Sequence, residues 1–199
     1  MPVTINGNGS ITGLSVGGLP NGTVDADTLA SNAVTTNKIA NSAVTPAKST
    51  ITSGLDFAQW RVTTGWSGAA DPIVNWTETS DKNVTLTQSS GIFSFPSTGY
   101  WHIMCQLFGY KNDDQDNIEL HIMRTVNNSN YHTKSWAYSH MNNDDGGNLY
   151  TSVHAELVFD VTDTTNCKVK FKTINNTVNW HADSGRNDSY AIFTRLGDT

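Results

Sequence analysis

The chain has 199 residues, a formal net charge of −6 and a sequence pI of about 5.3, which suits one domain of ordinary size with an appendage. Its 12 Lys and Arg are outnumbered by 18 Asp and Glu and form no basic block, so we expect no nucleic-acid partner. No apolar run approaches the roughly 20 residues of a transmembrane helix, and the segment after Met1 lacks the pattern of a secretory signal, so we expect no membrane insertion.

Aromatic residues divide the chain into two regions. Residues 2–53 contain none, whereas residues 54–199 carry every Trp, Tyr and Phe. A segment without large side chains cannot build its own core. We therefore predict an N-terminal anchor segment at 1–21, Gly-rich and suited to docking against a larger partner, then a repeat segment at 22–53, then a head at 54–199.

The repeat has a ten-residue period. Val24, Val34 and Val44 recur every ten residues, with Leu29 and Ile39 midway between them. A coiled coil would place apolar residues 3.5 apart on average, which this pattern excludes. Short repeats that cannot bury a face alone usually stack on neighbours. The pattern therefore predicts a thin, extended shaft in which several chains bury these five side chains together; the alternative is a flexible Asn/Thr/Ala linker.

The head is predicted to be all-β. The stretch CKVKFKT places Cys167, Val169 and Phe171 on one face and three lysines on the other, as a half-buried strand requires. LYTSVHAELVFDV alternates in the same way, and GYWHIMCQLFGY, NIELHIMRTV and SYAIFTRL are further strands. Short strands joined by Asn, Gly and Asp loops predict an antiparallel β-sandwich.

The two cysteines are predicted to be unpaired. Cys105 and Cys167 fall in strand-like apolar runs, where a free cysteine behaves as a small hydrophobic residue. A disulfide between them is the alternative.

One stretch of the head carries a family resemblance. GIFSFPSTGYWHIMCQLFGY resembles the signature of the C1q/tumour-necrosis-factor jelly-roll family, and the matching residues are Gly91, Ile92, Phe93, Pro96, Gly99, Tyr100 and Trp101. The resemblance covers about residues 55–197, although Thr162-Asp163 replaces a Pro-Gly turn that is frequent in the family. It implies a C1q/TNF-like jelly roll that assembles as a homotrimer, with the last strand close to the trimer axis. Fold alone does not fix function.

The repeat carries a second resemblance. AVTTNKIANSAVTPAK is similar to the decamer repeats in tail fibres of tailed bacteriophages, particularly those of marine cyanobacterial hosts. It implies a virion protein, assembled in the host cytoplasm, whose N-terminal segment binds another virion protein and whose head lies at the tip of a fibre.

Strand parity places the loops of the head. If consecutive strands are antiparallel, loops 111–117, 139–148 and 175–188 share the distal end, and loops 127–130 and 162–166 lie at the end of the C-terminus. Loops on a rigid scaffold commonly carry binding sites. The predicted receptor-binding residues are Asp113, Asp114, Asp116, Asn143, Asp144, Asp145, Trp180, His181, Asp183 and Arg186.

Two aromatic pairs have different expected roles. Trp180 and His181, flanked by Asn and Asp, suit stacking on a sugar ring; the alternative is that Trp180 packs back onto its own loop. Trp136 and Tyr138 are expected to lie on a strand and pack between subunits.

Metal binding and catalysis have weaker support. The Asp clusters suggest a Ca²⁺ shared at the trimer tip, against ordinary turn chemistry, and the scattered histidines show no metal-ligand spacing. Otherwise no cofactor is expected. No catalytic motif is present, so we predict a non-enzyme; the alternative is a polysaccharide depolymerase with two converging carboxylates.

Taken together, the sequence predicts a trimeric virion fibre whose C-terminal knob attaches to a glycan or protein receptor on the host surface. The principal alternative is a structural capsid-decorating or adaptor fibre.

Overall fold

The computed structural model describes residues 4–5, 11–12, 31, 33–35, 38–40, 43, 55–112, 115–142, 147–174 and 177–199, with the backbone alone at 4, 5, 11, 12, 115 and 116. Contacts divide the chain into two units, Met1–Ser53 and Gly54–Thr199.

The first unit contains one described strand pair. Strands β1 (Thr4–Ile5) and β2 (Ile11–Thr12) are antiparallel, with Ile5 opposite Ile11. Of the predicted shaft positions, Val34 and Ile39 are exposed within the single chain. Val24, Leu29 and Val44 lie outside the described residues. The shaft therefore stays a prediction.

The second unit is a sandwich of two antiparallel sheets. Its strands are β3 (Asp56–Val62), β4 (Trp66–Ser67), β5 (Trp76–Lys82), β6 (Thr87–Ser89), β7 (Ile92–Ser94), β8 (Gly99–Lys111), β9 (Gln115–Thr125), β10 (His132–Met141), β11 (Leu149–Val161), β12 (Lys168–Thr173), β13 (Asn179–His181) and β14 (Tyr190–Gly197). In the β8 sheet the strand order is β4-β13-β8-β14-β3-β5. Strands β13 and β14 pair with different parts of one edge of β8, and β11 pairs with its other edge. In the β9 sheet the order is β10-β9-β12-β7-β6.

Alternation along each strand separates a buried face from an outer face. In β8, Trp101, Ile103, Cys105 and Leu107 are buried, and the residues between them point away from the core. Val169 and Phe171 of β12 are likewise fully buried, with the lysines outside. The period-two pattern of the sequence thus gives the two inner faces of the sandwich, and the predicted all-β antiparallel fold is confirmed.

Aromatic rings join the two sheets at the centre of the core. Phe93 of β7 contacts Trp60 of β3 at 5.6 Å, Phe193 of β14 at 4.8 Å and Phe171 of β12 at 5.6 Å between ring centroids. Phe93 is fully buried. Edge-to-face and tilted aromatic pairs of this kind add to the free energy gained by burying their area.

The hairpin between β6 and β7 explains the glycine of the family-like motif. Ser90 and Gly91 both have positive φ, of 50° and 81°, as a two-residue hairpin turn with right-handed strand twist requires. A Cβ on Gly91 would also collide with the carbonyl oxygen of Ile73. Only glycine satisfies both conditions at this position.

Register places the loops at two ends. Lys111 pairs with Leu149 and Met141 with Gln115 at one end. Asp56 pairs with Arg195 and Val161 with Gly99 at the other. The ends expected from strand parity are therefore correct, but the distal loops are shorter than predicted. Ser139–Met141 belongs to β10, and Asn179–His181 forms β13 within the stretch expected to be a loop.

Both cysteines are free and buried, as predicted. Burial raises the pKa of the Cys105 thiol well above its ordinary value, so the thiol is inert rather than nucleophilic. No helix in the described ranges is long and apolar enough to cross a membrane.

Candidate functional site

The candidate site lies at the distal end of the β8 sheet, on its outer face. Here β13 pairs with β8 on one side and with β4 on the other, so that Tyr110 lies opposite Asn179 and Phe108 opposite His181. On the other edge of β8, Tyr150 of β11 lies opposite Tyr110. Residues 182–189 connect β13 to β14 beside this surface.

Trp180 does not present an exposed ring. Its side chain is 2% exposed and stacks on Trp66 with ring centroids 5.7 Å apart. Its Nε1 donates to the carbonyl of Gly68 at 3.1 Å. The expectation that Trp180 stacks on a sugar is therefore wrong. In β13 the side chains of Asn179 and His181 point outward, whereas that of Trp180 points into the core, opposite Gly109.

Glycine makes that arrangement possible. A Cβ on Gly109 would lie 2.9 Å from Cγ1 of Val178 and 3.3 Å from the Trp180 ring. The missing side chain leaves room for the indole against β8, which illustrates why Gly appears where another group must approach the backbone closely.

His181, Asp183 and Arg186 do come together, joined by Asp188. Nδ1 of His181 lies 2.9 Å from Oδ2 of Asp188, a close polar contact that does not meet hydrogen-bond geometry. Nη2 of Arg186 lies 3.2 Å from Asp188 and 3.3 Å from Asp183. Two carboxylates thus share one guanidinium.

Backbone donors fix the turn that carries these charges. Oδ1 of Asp183 accepts from the N–H of Gly185 at 2.6 Å and from that of Arg186 at 3.1 Å. The hydrogen bond from Gly185, followed by the charge of Arg186, lowers the pKa of Asp183 against the opposing effect of burial. Asp183 therefore remains an acceptor-only anion at neutral pH.

The other predicted receptor-binding residues fall on two of the loops predicted for the distal end. Asp113, Asp114, Asn143, Asp144 and Asp145 lie outside the described residues, as does the side chain of Asp116. No group of three or more His, Cys, Asp or Glu side chains that could hold a metal occurs in the part of the chain that is described. A Ca²⁺ site formed by the remaining Asp residues stays a prediction.

Sequence reasoning missed the aromatic cluster beside His181. Phe108 and Tyr150 stack with centroids 5.8 Å apart and an interplanar angle of 12°, and Tyr110 lies 5.7 Å from Tyr150. The signal was present, because Phe108 and Tyr110 occupy outward positions of an alternating strand. Recognising it needed the pairing of β8 with β11.

No protein-family model matches the chain, and no curated protein matches its sequence. Solved structures do resemble it. Murine APRIL at pH 5.0 superposes with a TM-score of 0.58 at 12% identity, over 72% of this chain and 100% of that chain. Eiger TNF from S. frugiperda gives 0.56 at 14% identity, over 73% and 94%. The second is a TNF by name, and neither structure indicates a catalytic family. At these identities the likeness establishes a TNF-like jelly-roll fold.

Proposed function

We propose that this chain is a homotrimeric virion fibre whose head attaches, without catalysis, to a glycan or protein receptor on the host cell. The proposal rests on the positions of the chain entry and of the loops at opposite ends of the head. The chain enters β3 at Asp56, at the end where Arg195 and Gly99 lie. The loops after β8, β10 and β13 lie at the opposite end. We place receptor contact at these loops, at the end of the head opposite the entry of the chain.

Exposed apolar side chains support self-association. Tyr100, Val158 and Leu196 are exposed on the β8 sheet, toward the end of chain entry. Trp136 and Tyr138, 56% and 65% exposed, lie on β10 at the edge of the β9 sheet. Exposed apolar patches mark interaction sites. Two different patches on one protomer suit a head-to-tail contact that closes into a ring, and the number three comes from the jelly-roll resemblance.

One carboxylate on the same face is paired with two histidines. Glu156 of β11 accepts from His102 of β8 at 3.0 Å through one oxygen and lies 3.0 Å from His154 through the other. A buried charge without a partner costs several kcal/mol, roughly 3–5 when one partner of a pair is removed. This local pairing gives Glu156 partners within its own protomer when the face enters an interface.

The ten-residue repeat supports the proposal that the protein is a fibre. Val34 and Ile39 are exposed in the single chain, as expected of side chains that only neighbouring chains would cover. The resemblance to phage tail-fibre repeats supplies the virion location and a virion partner for residues 1–21. Three identical heads on each fibre would convert weak receptor contacts into firm attachment.

Equilibrium binding of the fluorescently labelled full chain to host cells tests this function. We expect saturable binding by the trimer, and binding weaker by about a hundredfold when the chain is made monomeric, because avidity is lost. Absence of binding by trimeric protein would overturn the attachment role and favour a structural capsid or adaptor fibre. New reducing ends released from host polysaccharide would instead support the depolymerase.

A further inference from the structure

Two clefts open side by side on the outer face of the β8 sheet, at its distal end. One, of about 330 Å³, lies between Tyr110 and strands β4 and β13. The other, of about 360 Å³, lies between β8, β11 and residues 182–189, and we call it the Tyr150 cleft. Its lining residues are Phe108, Tyr110, Asn148, Tyr150, His181, Arg186 and Asp188. Tyr110 and His181 line both clefts.

The apolar part of the Tyr150 cleft is aromatic. Tyr150 is 59% exposed although it stacks on Phe108. The His181 ring meets Phe108 edge-on, with centroids 5.8 Å apart at 69°. Each tyrosine adds a hydroxyl to an apolar ring, so one side of the cleft offers both an apolar ring face and hydrogen-bonding groups. A ligand with an apolar face and a rim of hydroxyls matches this lining, as a sugar ring does.

The charged part of the cleft disfavours an anion. Arg186 is already shared by Asp183 and Asp188, at 3.3 and 3.2 Å, so its positive charge is more than balanced by two carboxylates. His181 faces Asp188 as well. An acidic sugar would meet the Asp188 carboxylate beside an Arg186 that two carboxylates already engage, whereas a neutral sugar could donate a hydroxyl hydrogen to Asp188.

The rim of the cleft is held in place before any ligand binds. Ser189, fully buried, donates through Oγ to the carbonyl of His181 at 2.6 Å and accepts from the N–H of Phe108 at 3.1 Å. Asp183 fixes the opposite side of the turn through Gly185 and Arg186. A preformed rim reduces the entropy lost when a ligand binds.

We propose that the Tyr150 cleft binds a neutral sugar residue of the host surface glycan, with Tyr150 stacking on the ring and Asp188 and Asn148 bonding its hydroxyls. The inference rests on the proposed attachment function and names its ligand class. It also separates the binding cleft from the apolar patch of Tyr100, Val158 and Leu196 at the other end of the sheet.

Saturation-transfer NMR and calorimetry on the full chain test the cleft. The neutral probes are free glucose, galactose, mannose and N-acetylglucosamine, and the acidic probes measured for comparison are glucuronic and galacturonic acid. We expect millimolar binding of at least one neutral sugar and binding of the uronic acids weaker by about tenfold, equivalent to roughly 1.4 kcal/mol. Tyr150→Ala should weaken the neutral sugar by about tenfold or more. Tyr131→Ala, the same substitution at the opposite end of the head, should leave it unchanged.

Three results would overturn the inference: no neutral sugar bound, uronic acids bound equally well, or Tyr150→Ala without effect in folded protein. Failure here is distinguishable from failure of the proposed function. Protein that binds cells saturably but binds no neutral sugar keeps its attachment role and loses the sugar cleft.

Discussion

Trp66 and Trp180 stack nearly parallel, with ring centroids 5.7 Å apart and an interplanar angle of 19°. This contact joins the short strands β4 and β13, which are separated by more than a hundred residues of sequence. Trp180 therefore supports the distal end of the head from inside, while its neighbour His181 faces the cleft.

We expect Trp180→Ala to lower the free energy of unfolding by about 3–5 kcal/mol, because it removes a buried ring and leaves a cavity. His181→Ala should lower it by about 1 kcal/mol or less, because the contact of His181 with Asp188 is partly exposed. Urea unfolding followed by tryptophan fluorescence measures both. Equal losses in the two variants would contradict the inward orientation of Trp180.

Gly91→Ala should destabilise the head by about 2 kcal/mol or more, since a positive φ and a clash with backbone act together. The matched control is Gly147→Ala, where nothing lies within 4 Å of an added Cβ. Thermal unfolding of the two variants gives the comparison. A Gly91→Ala protein as stable as the control would contradict the hairpin geometry between β6 and β7.

Val158→Asp should convert trimer to monomer, because it puts an unpaired carboxylate into the proposed interface at a cost of about 3 kcal/mol or more. Val126→Asp is the control: Val126 is 54% exposed and Val158 is 58% exposed, but Val126 lies in the loop between β9 and β10. Light scattering after size exclusion gives the mass. Trimeric Val158→Asp would place the interface elsewhere.

Asp71 gives a pH-dependent prediction. Burial alone would raise its pKa, but hydrogen bonds and charge from Lys170 and Lys172 outweigh burial and hold the pKa below 3.8. A lowered folded pKa contributes stability that is present at neutral pH and is lost as pH falls through that pKa.

We therefore expect Asp71→Asn to cost about 1 kcal/mol or less near pH 7, because the carboxylate is partly exposed. The difference from the unsubstituted protein should be smaller at an acidic pH below 3.8, where the carboxylate begins to take up a proton. Denaturant titrations at neutral pH and at the acidic pH decide. A constant difference would show that the two lysines do not stabilise the ionised form.

Deleting residues 1–21 should release the fibre from virions while the head keeps its cell binding, because we assign anchoring to that segment alone. Immunoblotting of purified particles measures the first effect, and the cell-binding assay measures the second. Deleted protein that stays on the particle would place the anchor elsewhere in the chain.

Much of the fold could be predicted because a strand that is buried on one face alternates apolar and polar residues along the sequence. Phe171 and Cys167 were assigned inward from the lysines between them, and both are fully buried. The ends of the sandwich followed from counting strands. Strands β3 and β5 were not identified. The polar stretch Trp76–Lys82 of β5 has one strongly buried residue and depends on its pairing with β3.

The site was harder to predict because orientation in a short strand depends on register. A shift of one residue reverses every side chain, and in Asn179–His181 that choice separates a buried Trp180 from an outward His181. The grouping of Phe108, Tyr150 and Asp188 depends on non-local pairing of β8, β11 and β13. A single sequence does not encode such pairing in any local pattern.

Adsorption competition tests the central claim most directly: purified trimeric protein is added to host cells before the virus, and adsorbed virus is counted. The account predicts that the protein occupies the receptor and blocks adsorption in a saturable way, with Tyr150→Ala blocking less than Tyr131→Ala. Undiminished adsorption in the presence of saturating trimer would contradict a receptor-binding head.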